Sequence, residues 1–175
     1  MTSRRSRRIV GPLSAFAALV LLTGCGPIPV GLTAVSQRDG QLLIGVMRCD
    51  DTALKHAAVT HRGPFQSDAP RAIIDDARWT TDQDDDDVVV LDTSKPDEAW
   101  ETEMPLSELE PAVPYSASAG GGSDHPMGSV SFTRDELKAL AEGQWLYTSG
   151  DEGQDNAVRP TTTDLGELRE KECDS

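Results

Sequence analysis

Short apolar runs separated by turn-forming residues recur along most of this chain. The clearest is Gln41–Arg48 (QLLIGVMR), which follows Asp39-Gly40, a dipeptide typical of tight hairpin turns. Several runs alternate apolar and polar positions, as half-buried strands do. The predicted strands are residues 31–36, 41–48, 56–60, 72–75, 88–92, 99–103, 115–119, 129–133 and 144–148. Many short strands with Gly, Pro and Asp between them predict a mainly β fold, a β-sandwich.

A proline-rich segment before the strand at 115–119 narrows the type of sandwich. Leu109, Pro111 and Tyr115 follow the spacing L-x-P-x-x-x-Y, which resembles a tyrosine corner. In that motif the tyrosine hydroxyl bonds to nearby upstream backbone and fixes the crossing between the sheets. The motif therefore favours an immunoglobulin-like or fibronectin-like β-sandwich.

Two short helices are predicted among the strands. Thr133 and Glu136 form a capping box, and leucines follow at helical spacing before a stop at Gly143. Near the C terminus, Asp164 caps a second helix with two inward-facing leucines. That helix would bring Cys173 toward the body of the domain.

The first 24 residues have a different pattern. Four arginines within the first eight residues precede an apolar run at 9–22, which Gly11-Pro12 interrupts. A membrane-spanning helix needs about 20 apolar residues, so this run is too short to be one. A charged head, a short apolar body and small residues at the end are the three parts of a secretory signal.

The apolar run ends at Leu22-Thr23-Gly24-Cys25, which resembles the lipobox of bacterial lipoprotein precursors. The resemblance implies cleavage between Gly24 and Cys25 and attachment of a palmitate-type diacylglyceryl lipid to the Cys25 sulfur. It divides the chain into a signal peptide (1–24), a lipidated N terminus with a short tether (25–30) and a β-sandwich domain (31–175). The expected location is the cell membrane, on its extracytoplasmic side. The Sec and twin-arginine export routes both stay open.

Removal of the signal makes the charge of the chain more extreme. The mature part has 12 basic and 30 acidic residues, a formal net charge of −18. Such a chain repels nucleic acid, which is excluded as a partner, and also anionic lipid headgroups. We therefore expect membrane contact through the lipid on Cys25 only. The mature length is enough for one domain with its own core.

With Cys25 lipidated, Cys49 and Cys173 are the two remaining cysteines. Outside the cytoplasm a leftover pair is typical of a disulfide, and two buried free thiols are the alternative. A bridge between them would enclose nearly the whole domain. The chain-entropy treatment then gives about 5 kcal/mol of stabilisation at best.

The sequence contains no recognisable catalytic or metal-binding set. The acidic run at 82–87 lacks the turn glycine and closing glutamate of a calcium loop, so a solvated loop is favoured over calcium binding. His56, His61 and His125 lack the context of a zinc motif. Ser123-Asp124-His125 has the residue types of a hydrolase triad, but three successive residues do not align as one. No cofactor is expected.

Three tryptophans are the remaining candidates for ligand contact. Trp79, Trp100 and Trp145 each lie beside a strand-like run, which favours packing in the core. The alternative, which stays open, is an exposed group that stacks on sugars.

Beyond the lipobox, the mature chain resembles uncharacterised small lipoproteins of actinobacteria. The similar pieces are IGVMRC ending at Cys49, LEPAVPY ending at Tyr115, VSFTRDEL ending at Leu137, and the helix ending in Glu172-Cys173. The resemblance implies a conserved disulfide and a sandwich, and it implies no activity.

We therefore expect a non-enzymatic binding or interaction module of unknown ligand, whose partner is an envelope protein or glycan. A cell-wall-associated enzyme or enzyme accessory is one alternative, and a structural envelope component is another. Because sandwiches host all three classes, the fold alone does not choose among them.

Overall fold

The computed structural model describes residues 30–65, 70–122, 125, 127–148 and 158–173. The predicted signal peptide, with Gly24, the predicted lipidation site Cys25 and the predicted tether up to residue 29 lie outside these residues, as do Ser123 and Asp124. Within the described ranges, no helix combines the length and apolar character needed to cross a membrane.

Ten strands and two helices occupy the described part of the chain. The strands are β1 (Gly31–Arg38), β2 (Gln41–Arg48), β3 (His56–Arg62), β4 (Ile73–Thr81), β5 (Val88–Asp92), β6 (Trp100–Met104), β7 (Tyr115–Gly120), β8 (Val130–Phe132), β9 (Trp145–Thr148) and β10 (Val158–Thr161). The helices are α1 (Arg134–Ala139) and α2 (Leu165–Cys173). The strands form two antiparallel sheets, ordered β10-β9-β1-β2-β5 and β6-β4-β3-β7-β8. The predicted β-sandwich with short helices is confirmed.

The central strands follow the immunoglobulin order. Strands β1-β2-β5 correspond to A-B-E, and β4-β3-β7-β8 correspond to C′-C-F-G. The additional strands lie outside this frame, with β6 next to β4 and the β9–β10 pair next to β1.

Inward-facing side chains from both sheets form a shared core. Val35 and Ile44 of the first sheet and Val59 and Trp79 of the second are completely buried. Burial of apolar surface stabilises a fold by about 25 cal/mol per Å², so large side chains contribute most. Trp100 is also buried. The preferred interpretation of Trp79 and Trp100 as core residues is therefore confirmed.

Two strands differ substantially from the prediction, whereas the bounds of the others agree with it to within two residues. The sequence predicts a short strand at 72–75, whereas β4 has nine residues and places its inward face at Ala77, Trp79 and Thr81. Its first residues are exposed, so burial starts after the apolar run that indicated the strand. Strand β10 is not predicted at all, because it is short and contains Pro160. It lies at the edge of its sheet, where a residue without a backbone N–H is tolerated.

The tyrosine corner is present as predicted. The backbone N–H of Glu110 donates to the Tyr115 hydroxyl oxygen over 2.8 Å. Ala112 between them has a φ of 60°, in the left-handed region where the chain reverses. The buried Tyr115 ring lies beside Phe132, with 6.1 Å between ring centroids. The segment before β7 is thereby fixed to the start of that strand.

The capping box of α1 is formed from both sides. The Glu136 N–H donates to the Thr133 hydroxyl over 3.2 Å, and the Thr133 N–H donates to the Glu136 carboxylate over 2.8 Å. Leu137 and Leu140 are buried, as their helical spacing predicts. The helix therefore begins where the sequence places it.

The Cys49–Cys173 disulfide is present, with the two Cα atoms 5.2 Å apart. It joins the end of β2 to the last turn of α2, which lies on the outer face of the first sheet. Leu165 and Leu168 of the helix are buried there against Met47. Gly45 leaves room for this packing, because a Cβ at that position would come 2.6 Å from a Leu165 methyl.

Candidate binding cleft

The antiparallel strands bring the connecting segments to two opposite ends of the sandwich. We call one the disulfide end: it holds Cys49–Cys173, the segments 49–55 and 82–87, and the described part of the segment after β7. We call the other the cleft end: it holds the β1–β2 turn, the segment 105–114 and α1.

Backbone hydrogen bonds join the segments of the disulfide end to one another. The N–H of Leu54 donates to the Gln83 carbonyl over 2.9 Å, and the N–H of Lys55 donates to the Gly120 carbonyl over 2.9 Å. The start of the described chain belongs to the same end, because the Cys49 N–H donates to the Val30 carbonyl over 3.0 Å. These bonds join the connecting segments of this end to one another. A hollow of about 380 Å³ lies beside them, between Lys55, Asp82 and Trp100, and is lined mainly by polar and charged groups.

The acidic run lies at the disulfide end and contacts arginines. The Arg48 side chain is only 3% exposed, and its Nη2 lies 3.9 Å from Asp87 Oδ1. Arg169 of α2 reaches the other Asp87 oxygen at 3.2 Å and donates from Nε to the Arg48 carbonyl over 2.6 Å. Asp87 thus ties the acidic loop to β2 and to α2. Among the described residues, no group of three or more His, Cys, Asp or Glu side chains could hold a metal ion.

At the start of the same loop, Asp82 pairs with Lys55. The Lys55 ammonium donates to Asp82 Oδ1 over 2.8 Å. That hydrogen bond, together with the lysine charge, lowers the pKa of Asp82. The side chain is exposed, so this pair adds little to stability.

The cleft end contains a hollow of about 360 Å³, within the usual size range of ligand sites. Leucines from three elements line it: Leu42 of β2, Leu106 and Leu109 of the 105–114 segment, and Leu137 of α1. The polar lining is Gln37, Gln41, Thr93, Ser94, Ser107, Glu108, Arg134 and Lys138. We call this hollow the cleft.

One wall of the cleft is the β1–β2 turn, held in place by Gln37. Asp39 and Gly40 both have positive φ, at 52° and 78°, as a tight hairpin turn requires. The Gln37 side chain accepts from the Gly40 N–H over 3.0 Å and donates to the Leu140 carbonyl over 3.0 Å. It therefore couples the turn to the end of α1.

The segment after β5 forms a second wall. Thr93 donates from its hydroxyl to the Leu42 carbonyl over 2.8 Å, and the Ser94 hydroxyl donates to Asp92 over 2.7 Å. Partial burial acts to raise the pKa of Asp92, but hydrogen bonds from Ser94 and Lys95 outweigh it and lower that pKa. Asp92 is thus an ionised acceptor that organises this turn.

Two cations and one carboxylate face the cleft. Arg134 Nη2 lies 2.8 Å from Glu108 Oε1, and the Arg134 side chain is 25% exposed whereas that of Glu108 is 81% exposed. Lys138 follows one helical turn later and is exposed. It has no acidic side chain within 4 Å among the described residues. In a strongly acidic protein, the cleft is a locally basic site.

A smaller hollow of about 260 Å³ lies beside the β3–β4 connection, at the cleft end. Arg62 and Arg71 line it, and the Arg71 guanidinium lies 5.4 Å from the centroid of the Phe65 ring. Phe65 and Ile73 are each 72% exposed. The cleft end therefore also carries exposed apolar groups.

The other candidate residues do not form a site. His61 Nδ1 lies 2.7 Å from Asp76 Oδ2, with no serine hydroxyl bonded to the pair among the described residues. Burial, and then the nearby Arg78 charge, lower the pKa of the half-buried His56. Trp145 packs against the α2 cluster beside Gly45. The tryptophans are thus used mainly for packing.

The cleft residues were not foreseeable as a group, because Glu108 and Arg134 lie on separate elements that only the fold brings together. The one local signal is the spacing of Arg134 and Lys138, four residues apart, on either side of the buried Leu137. A scan against family models and searches of curated proteins and of solved structures found no match to this chain. Function is therefore argued from the site itself.

Proposed function

We propose that this protein is a lipid-anchored lipoprotein of the extracytoplasmic side of the cell membrane, related to the small actinobacterial lipoproteins, and that it binds an envelope ligand in the cleft. The lipobox at Leu22-Thr23-Gly24-Cys25 supports the anchor. The observation that carries the binding function is the lining of the cleft, which combines leucines from three elements with the Arg134 and Lys138 cations, whereas the hollow at the disulfide end is lined mainly by polar and charged groups.

The position of Val30, the first described residue, supports an orientation with the cleft facing away from the membrane. Val30 bonds to Cys49 at the disulfide end, so the residues that follow Cys25 lead to that end. Pro27 and Pro29 favour an extended tether of about 3.1 Å per residue, or roughly 15 Å. The disulfide end would then be the nearer one.

Charge supports the same orientation. Seven aspartates lie in the two acidic segments of the disulfide end: Asp50, Asp51, Asp82, Asp84, Asp85, Asp86 and Asp87. Their repulsion from anionic headgroups is screened over about 8 Å at physiological salt, a shorter distance than the tether. The acidic end would therefore stand clear of the surface while the lipid holds the domain.

The anchor is tested with Cys25→Ala in cells fed a clickable palmitate analogue. We expect loss of the label, with the protein released into the medium or left uncleaved, because the lipid is the membrane contact. Cys49→Ala is the matched control and should keep the label. Normal processing and membrane retention of the Cys25→Ala protein would refute the anchor.

Binding is tested by NMR on ¹⁵N-labelled protein exposed to fractionated envelope extract. We expect at least one fraction to shift the amide signals of Gln41, Ser94 and Leu137 and to leave those of Thr52 and Gln83 at the disulfide end unchanged. If no fraction shifts the cleft signals, or if the shifts occur only at the disulfide end, the binding function is refuted.

A further inference from the structure

The apolar floor of the cleft and its polar groups play different parts. The partly exposed Leu106 and Leu109, with the small exposed parts of Leu42 and Leu137, offer apolar contact and no hydrogen bonds. The side chains of Gln37 and Thr93 are already engaged in holding the fold, as is that of Ser94. The groups that remain for an incoming molecule are therefore mainly charged.

Of these charged groups, Arg134 is the best placed to recognise a ligand. A guanidinium presents parallel N–H donors that match a carboxylate in two-point geometry. Its present partner is Glu108, a side chain 81% exposed on a connecting segment. Glu108 loses little when it leaves this ion pair, because its exposed carboxylate is then well solvated. Glu108 is thus a carboxylate that another carboxylate can replace.

Few other acids compete for this position. Asp92 is occupied by Ser94 and Lys95, and Glu136 is occupied by the capping box. Lys138 adds a second positive charge next to Leu137. The balance of charge at the mouth of the cleft therefore favours an anion once Glu108 moves aside.

Building on the proposed binding function, we infer that the cleft binds a small amphiphile with a carboxylate head and an apolar body, and that the head takes the place of Glu108 on Arg134. The apolar body lies against the leucines of the cleft, and Lys138 faces the head. Two kinds of molecule share this chemistry: a short fatty carboxylate and a peptide C terminus with apolar side chains.

The experiment uses isothermal titration calorimetry on the protein as purified from its producing cells, with a protein-free blank in the same lipid or detergent. The probes are hexanoate and N-acetyl-leucyl-leucine, each compared with its neutral amide. We expect the carboxylate of at least one pair to bind about tenfold more tightly than its amide, which corresponds to one charge-assisted contact. The probe pair that shows this preference indicates whether the ligand is a fatty carboxylate or a peptide C terminus.

Three variants locate the effect. Arg134→Gln should abolish the preference for carboxylate over amide, and Lys138→Gln should reduce it by a smaller factor. Glu108→Gln should strengthen carboxylate binding about three- to tenfold and leave amide binding unchanged, because it removes the internal competitor. Glu110→Gln, on the same segment and outside the cleft lining, is the control and should leave the preference unchanged.

Equal binding of acid and amide would overturn the inference, and so would a Glu108→Gln protein with unchanged carboxylate affinity. If neither probe binds while an envelope fraction still shifts the cleft signals, the ligand class is wrong and the binding function stands. If neither the probes nor any envelope fraction reaches the cleft, both are refuted.

Discussion

The two ends of this sandwich differ in how their connecting segments are held together. At the disulfide end, backbone hydrogen bonds, a covalent bridge and the Asp87 contacts with Arg48 and Arg169 connect neighbouring segments. At the cleft end, side chains such as Gln37 and Tyr115 hold the connecting segments in place, and a leucine-lined hollow remains between these segments.

This difference indicates that the disulfide end contributes more to the stability of this small domain, while the cleft end keeps a hollow that a ligand can enter. A cleft keeps apolar surface in contact with solvent, which costs free energy relative to a closed core. Cross-links at the far end can offset that cost without filling the cleft. The comparison predicts that changes at the disulfide end destabilise the whole domain more than changes at the cleft end.

The largest effect is expected from removing the bridge. Cys49→Ala/Cys173→Ala should lower the free energy of unfolding by about 2–5 kcal/mol, because the bridge closes a loop across a sequence separation of 124. Urea unfolding measures this, and hydrogen exchange should show α2 opening before β3 and β7. Wild-type protein under reducing conditions is the control and should behave alike. A loss below about 1 kcal/mol would contradict the comparison.

The next effect concerns the acidic loop. Asp87→Asn should cost about 1–2 kcal/mol, since it removes the carboxylate that faces the buried Arg48 and the Arg169 of α2. Asp86→Asn, in the same loop and exposed, should stay within about 0.5 kcal/mol. Equal effects of the two substitutions in urea unfolding would mean that the loop is not held by these arginines.

A smaller effect is expected at the cleft end. Tyr115→Phe should cost about 1 kcal/mol, because the Glu110 N–H loses its acceptor while the buried ring stays in place. Hydrogen exchange of the Glu110 amide should accelerate more than that of amides in β2. Tyr147→Phe, which removes a longer contact of 3.3 Å to Glu172, should cost less. The reverse order would argue against a tyrosine corner that holds the segment.

The smallest expected effect is the pH dependence of stability, which falls in a different pH range for each end. The pKa of His56 at the disulfide end is lowered in the fold, so protonation favours the unfolded chain. Stability is therefore complete above the unfolded pKa of about 6.5 and falls as the pH drops below it. The lowered pKa of Asp92 at the cleft end acts in the same sense, but only as the pH falls below about 4.

Urea unfolding of wild type and His56→Gln at pH 7, 6 and 5 tests the histidine contribution. We expect a flatter pH profile for the variant over this range. Asp92→Asn is the matched control and should keep the slope of the wild type between pH 7 and 5. A wild-type slope in the His56→Gln protein would show that other groups cause the pH dependence.

Local signals in the sequence were enough for much of the fold. Asp39-Gly40 marks its hairpin, the run at Gln41–Arg48 coincides with β2, and Thr133 caps the start of α1 as its capping box indicates. Strand β10 could not be predicted in this way, because Pro160 argues against a strand in the sequence. Pairing with β9 stabilises this edge strand in the fold.

The site was much less accessible to sequence reasoning than the fold. The disulfide could be predicted because cysteines are few and their pairing is covalent. The cleft could not, since it depends on how far apart the β1–β2 turn, the 105–114 segment and α1 come to rest. Arg134 and Glu108 carry no local sign that they meet, because charged residues on exposed positions are ordinary in any acidic protein.

The pairing of β1 has a mechanical consequence. This strand pairs with β2 along all eight of its residues and with β9 on its other side. A pull between a membrane anchor at Cys25 and a ligand held in the cleft would run along β1. The ladder bonds are perpendicular to the strand, so such a load would shear them together instead of opening them one at a time. The domain is thus built to resist tension along the line that joins its proposed anchor to its proposed ligand.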